Sequence, residues 1–340
     1  MRKRIHRFAL LLVALTLALP ICAQAVGEGD GWGAGAIHVP KNFKFSKLVN
    51  HGKGGVPPVA TGTKSRKARQ ASQVLKAPQH SVFYANALGD YMGLMSYDPA
   101  TPTDVTTYAP FDKSLFNAGS TIKDGKLCGL YLDQSMIEYG IIFLWYGWFD
   151  LETGEYDGEV TNVSNRSLIA YATATDPKTG EVFGEFTDQT MQSWEFGVVD
   201  YDTKTRTTIA ETDNLYLAMG ITSQGDCYGI TDDGDLYRID RTTGEETRIG
   251  STGVRVTDAS GMAYSQGAVV DPKTDVFYWA ATDANGECTL YTVDLDDASV
   301  TRVCASPYQQ LALNVLPPLA EGKAPAAIHD FAVHFDAPAT

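Results

Sequence analysis

Leu236-Tyr237-Arg238-Ile239-Asp240, followed by Arg241-Thr242-Thr243-Gly244-Glu245-Glu246 and then Thr247-Arg248-Ile249, occurs in this chain as one member of a series. Leu290-Tyr291-Thr292-Val293-Asp294, six intervening residues and Thr301-Arg302-Val303 align with it without a gap. Phe196-Gly197-Val198-Val199-Asp200 with Thr207-Thr208-Ile209 fits the same frame, and Tyr146-Gly147-Trp148-Phe149-Asp150 and Leu94-Met95-Ser96-Tyr97-Asp98 are weaker copies. The marker aspartates recur at intervals of 52, 50, 40 and 54 residues. Each copy reads as a strand, an Asp-led polar turn and a second strand, a β-hairpin in which Asp and Thr side chains cap the turn.

A further strand precedes each hairpin, at Val82-Phe83-Tyr84, Val182-Phe183-Gly184, Cys227-Tyr228-Gly229 and Val276-Phe277-Tyr278. Ahead of that comes a strand of small residues, Ala218-Met219-Gly220-Ile221-Thr222 in one repeat and Ala263-Tyr264-Ser265 in another. Asp176 to Gly180 and Asp271 to Asp275 read as the turns between these two strands. Four antiparallel strands in about 50 residues make a propeller blade. Sheets stacked around an axis bury both faces of their middle strands, so Leu236, Tyr237 and Ile239 are apolar without clean alternation. The first repeat lacks an inner strand, while Leu311-Ala312-Leu313-Asn314-Val315 follows the last repeat without a partner. The sequence therefore predicts an all-β fold, a β-propeller of five four-stranded blades closed by a C-terminal strand, or of six blades if a divergent one hides in a long insert. A β-sandwich is the competing architecture, but it does not require one hairpin sequence to return five times.

The ends of the chain differ in texture. Arg2, Lys3, Arg4 and Arg7 precede an apolar run from Phe8 to Ile21 and then Ala23-Gln24-Ala25, the layout of a secretory signal peptide over residues 1–25. That run is too short to span a bilayer, no later segment reads as a transmembrane span, and Ile21 argues against lipidation at Cys22. The chain is expected to be exported, to the periplasm, the cell surface or the exterior. Residues 26–79 carry nine Lys/Arg against Glu28 and Asp30 and no apolar period, so they read as a basic flexible leader. From His80 onward there are 14 basic residues against 39 acidic ones. Such an acidic body, the propeller of residues 80–318, excludes nucleic acid as a partner, because phosphate binding relies on Lys/Arg to displace counterions. Residues 319–340 read as a linker and the first strand of an incomplete immunoglobulin-like or fibronectin III-like domain, so the chain is expected to be a monomeric module, a truncated or amino-terminal piece of a longer protein, unless that tail adds as a strand elsewhere.

The pattern of an apolar strand followed by Asp-x-x-Thr-Gly-Glu, at Asp150 to Glu155 and as Asp240-Arg241-Thr242-Thr243-Gly244-Glu245, resembles YVTN-like and quinoprotein-like propeller repeats. The whole arrangement is similar to the amino-terminal propellers of secreted multidomain bacterial surface proteins that continue into fibronectin type III modules. That resemblance covers about Ser81 to Val315 and the final strand. The tryptophan that quinoprotein dehydrogenases place after the Thr-Gly turn is not matched, since Tyr156 follows Glu155 and Glu246-Thr247-Arg248 follows Glu245. No cofactor is expected.

The residue supply limits the chemistry. No histidine lies between His80 and His329, so neither a Ser-His-Asp triad nor a histidine-ligated metal can form from the repeats. Acidic residues such as Asp232, Asp233 and Asp235, or Asp294, Asp296 and Asp297, cluster in turns without calcium-loop spacing, so no metal is expected. The connections that lead into each inner strand gather at one mouth of a propeller. Asn162, Asn214, Arg255, Asp258 and Tyr308 in those connections, with Trp194 at a strand start, are the candidate ligand-binding residues, and an unknown protein or glycan is the expected partner. Cys288 and Cys304 are expected to face each other across the last hairpin and to form a disulfide, whereas Cys128 and Cys227 fall in non-neighbouring blades. The functional reading is an exported, non-enzymatic binding or scaffold module presenting loops to a glycan, peptide or protein. The alternative is a propeller-type carbohydrate-active enzyme using paired carboxylates.

Overall fold

The computed structural model describes residues 36–38, 81–111, 115–133, 141–160, 170–187, 193–257, 263 and 266–316. The residues read as a signal peptide, most of those read as a leader, and the C-terminal segment from residue 317 lie outside the described residues. The strands in chain order begin with β1 (Ala36–His38) and then β2 (Phe83–Leu88), β3 (Gly93–Tyr97) and β4 (Thr106–Pro110) of blade 1. Blade 2 holds β5 (Leu115–Lys123), β6 (Lys126–Asp133), β7 (Ile141–Asp150) and β8 (Tyr156–Val160). Blade 3 holds β9 (Ala170–Thr175), β10 (Val182–Thr187), β11 (Trp194–Asp200) and β12 (Thr205–Thr212). Blade 4 holds β13 (Tyr216–Ile221), β14 (Cys227–Thr231), β15 (Asp235–Ile239) and β16 (Glu246–Ser251), and blade 5 holds β17 (Gly267–Asp271), β18 (Val276–Thr282), β19 (Cys288–Val293) and β20 (Val300–Ser306). The last strand, β21 (Gln309–Val315), pairs with β2.

The sheet orders β21-β2-β3-β4, β9 to β12, β13 to β16 and β17 to β20 are antiparallel blades of four, and β5 to β8 form the remaining one. The innermost strands touch in sequence, β21 to β5, β5 to β9, β9 to β13, β13 to β17 and β17 back to β21. The fold is a five-bladed β-propeller, and the strand that follows the last repeat completes the first blade. Burial falls from axis to rim. Every residue of β13 is buried, whereas β16 and β4 have none that is. This gradient explains the uninterrupted apolar runs of the inner strands and the Thr/Arg-rich outer ones.

Two expectations are corrected here. The inner strand of blade 5 is Gly267–Asp271, not Ala263-Tyr264-Ser265, of which Ala263 makes only an isolated bridge to Thr257. Part of the segment read as a flexible leader is a strand: β1 pairs with β7 through Ala36↔Phe143, Ile37↔Ile142 and His38↔Ile141. The reason lies in strand length. Strand β7 has ten residues but β8 pairs only with Trp145 to Phe149, which leaves an open edge that Ala36–His38 cover.

The repeated turn works as its sequence implies. Asp150 Oδ1 accepts from the amides of Glu152 and Thr153 at 2.9 Å, and Asp240 Oδ1 from Thr242 and Thr243 at 2.8 Å. Gly154 and Gly244 follow with φ of +76° and +73°, a left-handed conformation that glycine adopts without strain. These glycines also dock neighbouring blades. A Cβ on Gly244 would lie 2.5 Å from Ala210 Cβ of blade 3, and one on Gly154 would overlap Tyr108 Cβ of blade 1.

Candidate functional site

Strand order divides the ring into two faces. One carries the turns from inner to second strand and from third to outer strand, here the turn face. The other carries the links between blades, here the connection face. Asn214, Arg255 and Tyr308 lie in links between blades, and Trp194 starts β11 on the same side. Asn162 and Asp258 lie outside the described residues.

The four described candidates already have structural partners. Asn214 Nδ2 donates to Glu246 Oε1 at 3.0 Å, in a carboxylate that also accepts from the Asp213 amide at 2.9 Å and the Tyr216 hydroxyl. Trp194 meets Tyr171 edge to face at 5.1 Å, and Tyr308 meets Tyr91 at 5.7 Å. Exposed Arg255 turns back on its own loop through Nε to Thr257 O at 2.9 Å. The axis itself has little room. Two cavities along it, lined by residues such as Thr121, Thr173, Met219, Ala268 and Asn314, each measure about 30 Å³, space for water and not for an organic ligand.

A larger space opens on the turn face. A groove of about 540 Å³ runs between blades 3 and 4, with Asp176, Glu181 and Phe183 on one wall and Asp226, Arg238, Asp240, Arg241 and Glu245 on the other. The turns place these groups. Asp176 is the first residue of the turn from β9 to β10, and Asp240 to Glu245 is the capped turn from β15 to β16. Arg241 pairs with buried Asp176 and stacks 5.1 Å above the Phe183 ring, while Arg238 pairs with Asp226. Burial pushes the Asp176 carboxyl up, but hydrogen bonds from Lys178, Arg241 and Thr179 outweigh it and hold the group below its ordinary value. Both guanidinium groups are therefore occupied. Glu181, Asp240 and Glu245 are exposed and have no ion-pair partner among the described residues, so the groove presents uncompensated negative charge. It was missed in sequence because its walls come from two blades, Asp176 and Arg241 being 65 residues apart.

The last hairpin removes the geometric basis of the expected disulfide. Cys288 stands opposite Ser306 and Cys304 opposite Leu290, and all four described cysteines are free. Two single-residue offsets account for the difference. Val293 pairs with Val300, one position beyond the expected register, and a bulge between Leu290 and Tyr291 adds the second. Diagonal neighbours of this kind sit roughly 7–8 Å apart, beyond disulfide reach.

No family model matches the chain, and no curated protein matches it. Among solved structures it is similar to a chain of the nidogen/laminin complex at 9% identity, covering 69% of this chain and 97% of that one with a TM-score of 0.45. It is also similar to TolB from Acinetobacter baumannii at 12% identity, covering 67% of this chain and 53% of that one with a TM-score of 0.39. A putative TolB from Agrobacterium tumefaciens matches at 12% identity over 69% of this chain and 85% of that one, with a TM-score of 0.41. Likenesses this loose add nothing to the fold, which stands on the strand topology.

Proposed function

We propose that this protein is an exported, non-enzymatic binding module that presents its propeller surface to a peptide, protein or glycan carrying cationic groups. The groove between blades 3 and 4 carries the reading. It has the volume of a ligand site, its two arginines are tied to Asp226 and Asp176, and Glu181, Asp240 and Glu245 remain to attract a positive group. A site of this kind binds through screened electrostatics and shape, so it is expected to be salt-sensitive. The Asp-x-x-Thr-Gly turns and the signal-like N-terminus suit a YVTN-like repeat domain of a surface protein that continues into fibronectin-like modules. Calorimetry of the purified protein with basic peptides, acidic peptides and a panel of polysaccharides tests this. Saturable binding of basic ligands, weakened by salt and by Asp240→Asn with Glu245→Gln, is the expected result. Binding that ignores those substitutions moves the site elsewhere, and release of reducing ends from a polysaccharide replaces the reading with a carbohydrate-active enzyme.

A further inference from the structure

The joint between blades 3 and 4 contains a buried carboxyl that neither the fold nor the groove uses. Glu185 in β10 is fully buried. Its Oε1 accepts from the Thr212 hydroxyl at 2.7 Å, and its Oε2 is buried with no hydrogen-bond partner among the described residues. Thr212 is the last residue of β12, and the link to β13 starts there. The same link is held from its other side by Glu246 of β16, which accepts from the Asp213 amide, Asn214 Nδ2 and the Tyr216 hydroxyl. Two carboxyl groups from different blades thus grip one five-residue connection, Thr212 to Tyr216.

The surroundings of Glu185 favour its neutral form. Tyr171 of β9 and Tyr216 of β13 both feel its charge, Glu246 of β16 and Glu195 of β11 oppose ionisation, and Arg206 of β12 favours it. Arg206 is itself paired with Glu195 and lies over the Phe186 ring. Phe186 follows Glu185 in β10, so the two side chains leave opposite faces of the strand and Arg206 serves the other face. Ionised Glu185 would be a buried charge without a cation of its own.

We propose that Glu185 is a proton-operated latch on this joint: protonated, it stays buried beside Thr212 and the joint stays closed, and on releasing its proton to water the buried charge, unpaired at Oε2 and repelled by Glu246, moves toward solvent and opens the connection. Burial holds its carboxyl well above the ordinary value of 4.5. The sign follows from linkage. The folded chain keeps a proton that the unfolded chain has lost, so the stabilisation is complete below the ordinary value and declines as pH rises toward the folded one. The joint also borders the groove, because Phe183 lies two residues away on the same face of β10 and lines it. Raising the pH would therefore loosen the groove wall and the Thr212 to Tyr216 connection together, whatever the groove binds.

Hydrogen exchange on the mature full-length protein, corrected for intrinsic rates across a pH series, reads the latch directly. The segment from Ala210 to Ala218 is expected to lose protection by up to about tenfold per pH unit as pH rises from 4.5 toward the Glu185 midpoint and to level off above it, while blade 5 stays protected. Glu185→Gln should remove the transition and also the infrared band of a buried neutral carboxylic acid. Glu246→Gln, which keeps Glu185, should move the transition to lower pH by about one unit, a tenfold change in proton affinity. The proposal is overturned if wild type and Glu185→Gln exchange alike at every pH, if the infrared band survives Glu185→Gln, or if Glu246→Gln leaves the transition in place.

Discussion

Ser81 Oγ donates to Asp271 Oδ1 at 2.7 Å, and the Ser81 amide reaches Oδ2 of the same carboxylate at 3.3 Å. The two residues are 190 positions apart. Ser81 is where the chain meets blade 1, and Asp271 starts the turn from β17 to β18 in blade 5, so this contact joins the two ends of the ring. Comparable contacts cross other joints on the turn face. Lys123 pairs with Asp202 between blades 2 and 3, Arg241 with Asp176 between blades 3 and 4, and the Ser223 amide with Asp275 Oδ1 at 2.6 Å between blades 4 and 5.

Asp271 carries more than its contact to Ser81, since it also accepts from the Lys273 amide and the Thr274 hydroxyl. Replacing it with alanine should lower unfolding free energy by about 2–3 kcal/mol, and Ser81→Ala by about 1 kcal/mol. Urea titration of the two variants should give Cm values in that order. Equal losses would mean that Asp271 acts through Ser81 alone.

Closure by β21 is more severe to lose. Leu311 and Leu313 are buried, and Asn314 Nδ2 donates to Ser120 Oγ of blade 2 at 2.8 Å. A chain ending at residue 308 would expose the inner edge of β2 and one wall of the axis. It should unfold without a cooperative transition and bind a hydrophobic dye, as calorimetry and dye fluorescence would show. A sharp thermal transition near that of the intact protein would contradict the closure.

The repeat made the ring legible because each blade must bury both faces with similar residues, so one hairpin pattern returns five times. The missing inner strand was legible for the same reason: Leu311 to Val315 had no partner in its own repeat. Register was not legible to single-residue accuracy, because a bulge such as the one between Leu290 and Tyr291 leaves no mark in apolar periodicity. Nor was the groove, since joints such as Asp176 with Arg241 depend on how neighbouring blades meet.

The cysteines give a chemical check on that register. Burial pushes the Cys227 and Cys288 thiols up to about 12, and Cys128 is buried as well, while Cys304 is half-exposed. Under native conditions a maleimide should label Cys304 first, and the other three should react only after denaturation. Peptide mass mapping of unreduced protein should find Cys288 and Cys304 unlinked, and a linked peptide would restore the register that the bulge removes.

Glycine positions separate two effects that usually coincide. Gly180 and Gly244 both have positive φ, +77° and +73°, but a Cβ on Gly180 meets nothing within 4 Å, whereas one on Gly244 meets Ala210 Cβ at 2.5 Å. Gly180→Ala should therefore show the backbone term alone, about 1–2 kcal/mol. Gly244→Ala should add overpacking of about 1–3 kcal/mol. Thermal unfolding should rank wild type above Gly180→Ala above Gly244→Ala, and Ala210→Gly should partly rescue only the last.

Acid should act on the turns in the opposite sense to Glu185. Hydrogen bonds from the Thr153 and Glu152 amides hold the Asp150 carboxyl below its ordinary value of 3.8, and those from Thr243 and Thr242 do the same for Asp240. A carboxyl lowered on folding contributes stability above its unfolded value, and that contribution is lost as pH falls through the folded one. Asp150→Asn and Asp240→Asn should each flatten the stability curve below pH 3.8 and leave the slope above it unchanged, whereas Glu185→Gln should flatten only the region above 4.5. Urea unfolding at a series of pH values tests all three variants together, and a Glu185→Gln effect confined to the acid side would show that the buried carboxyl is ionised in the folded protein.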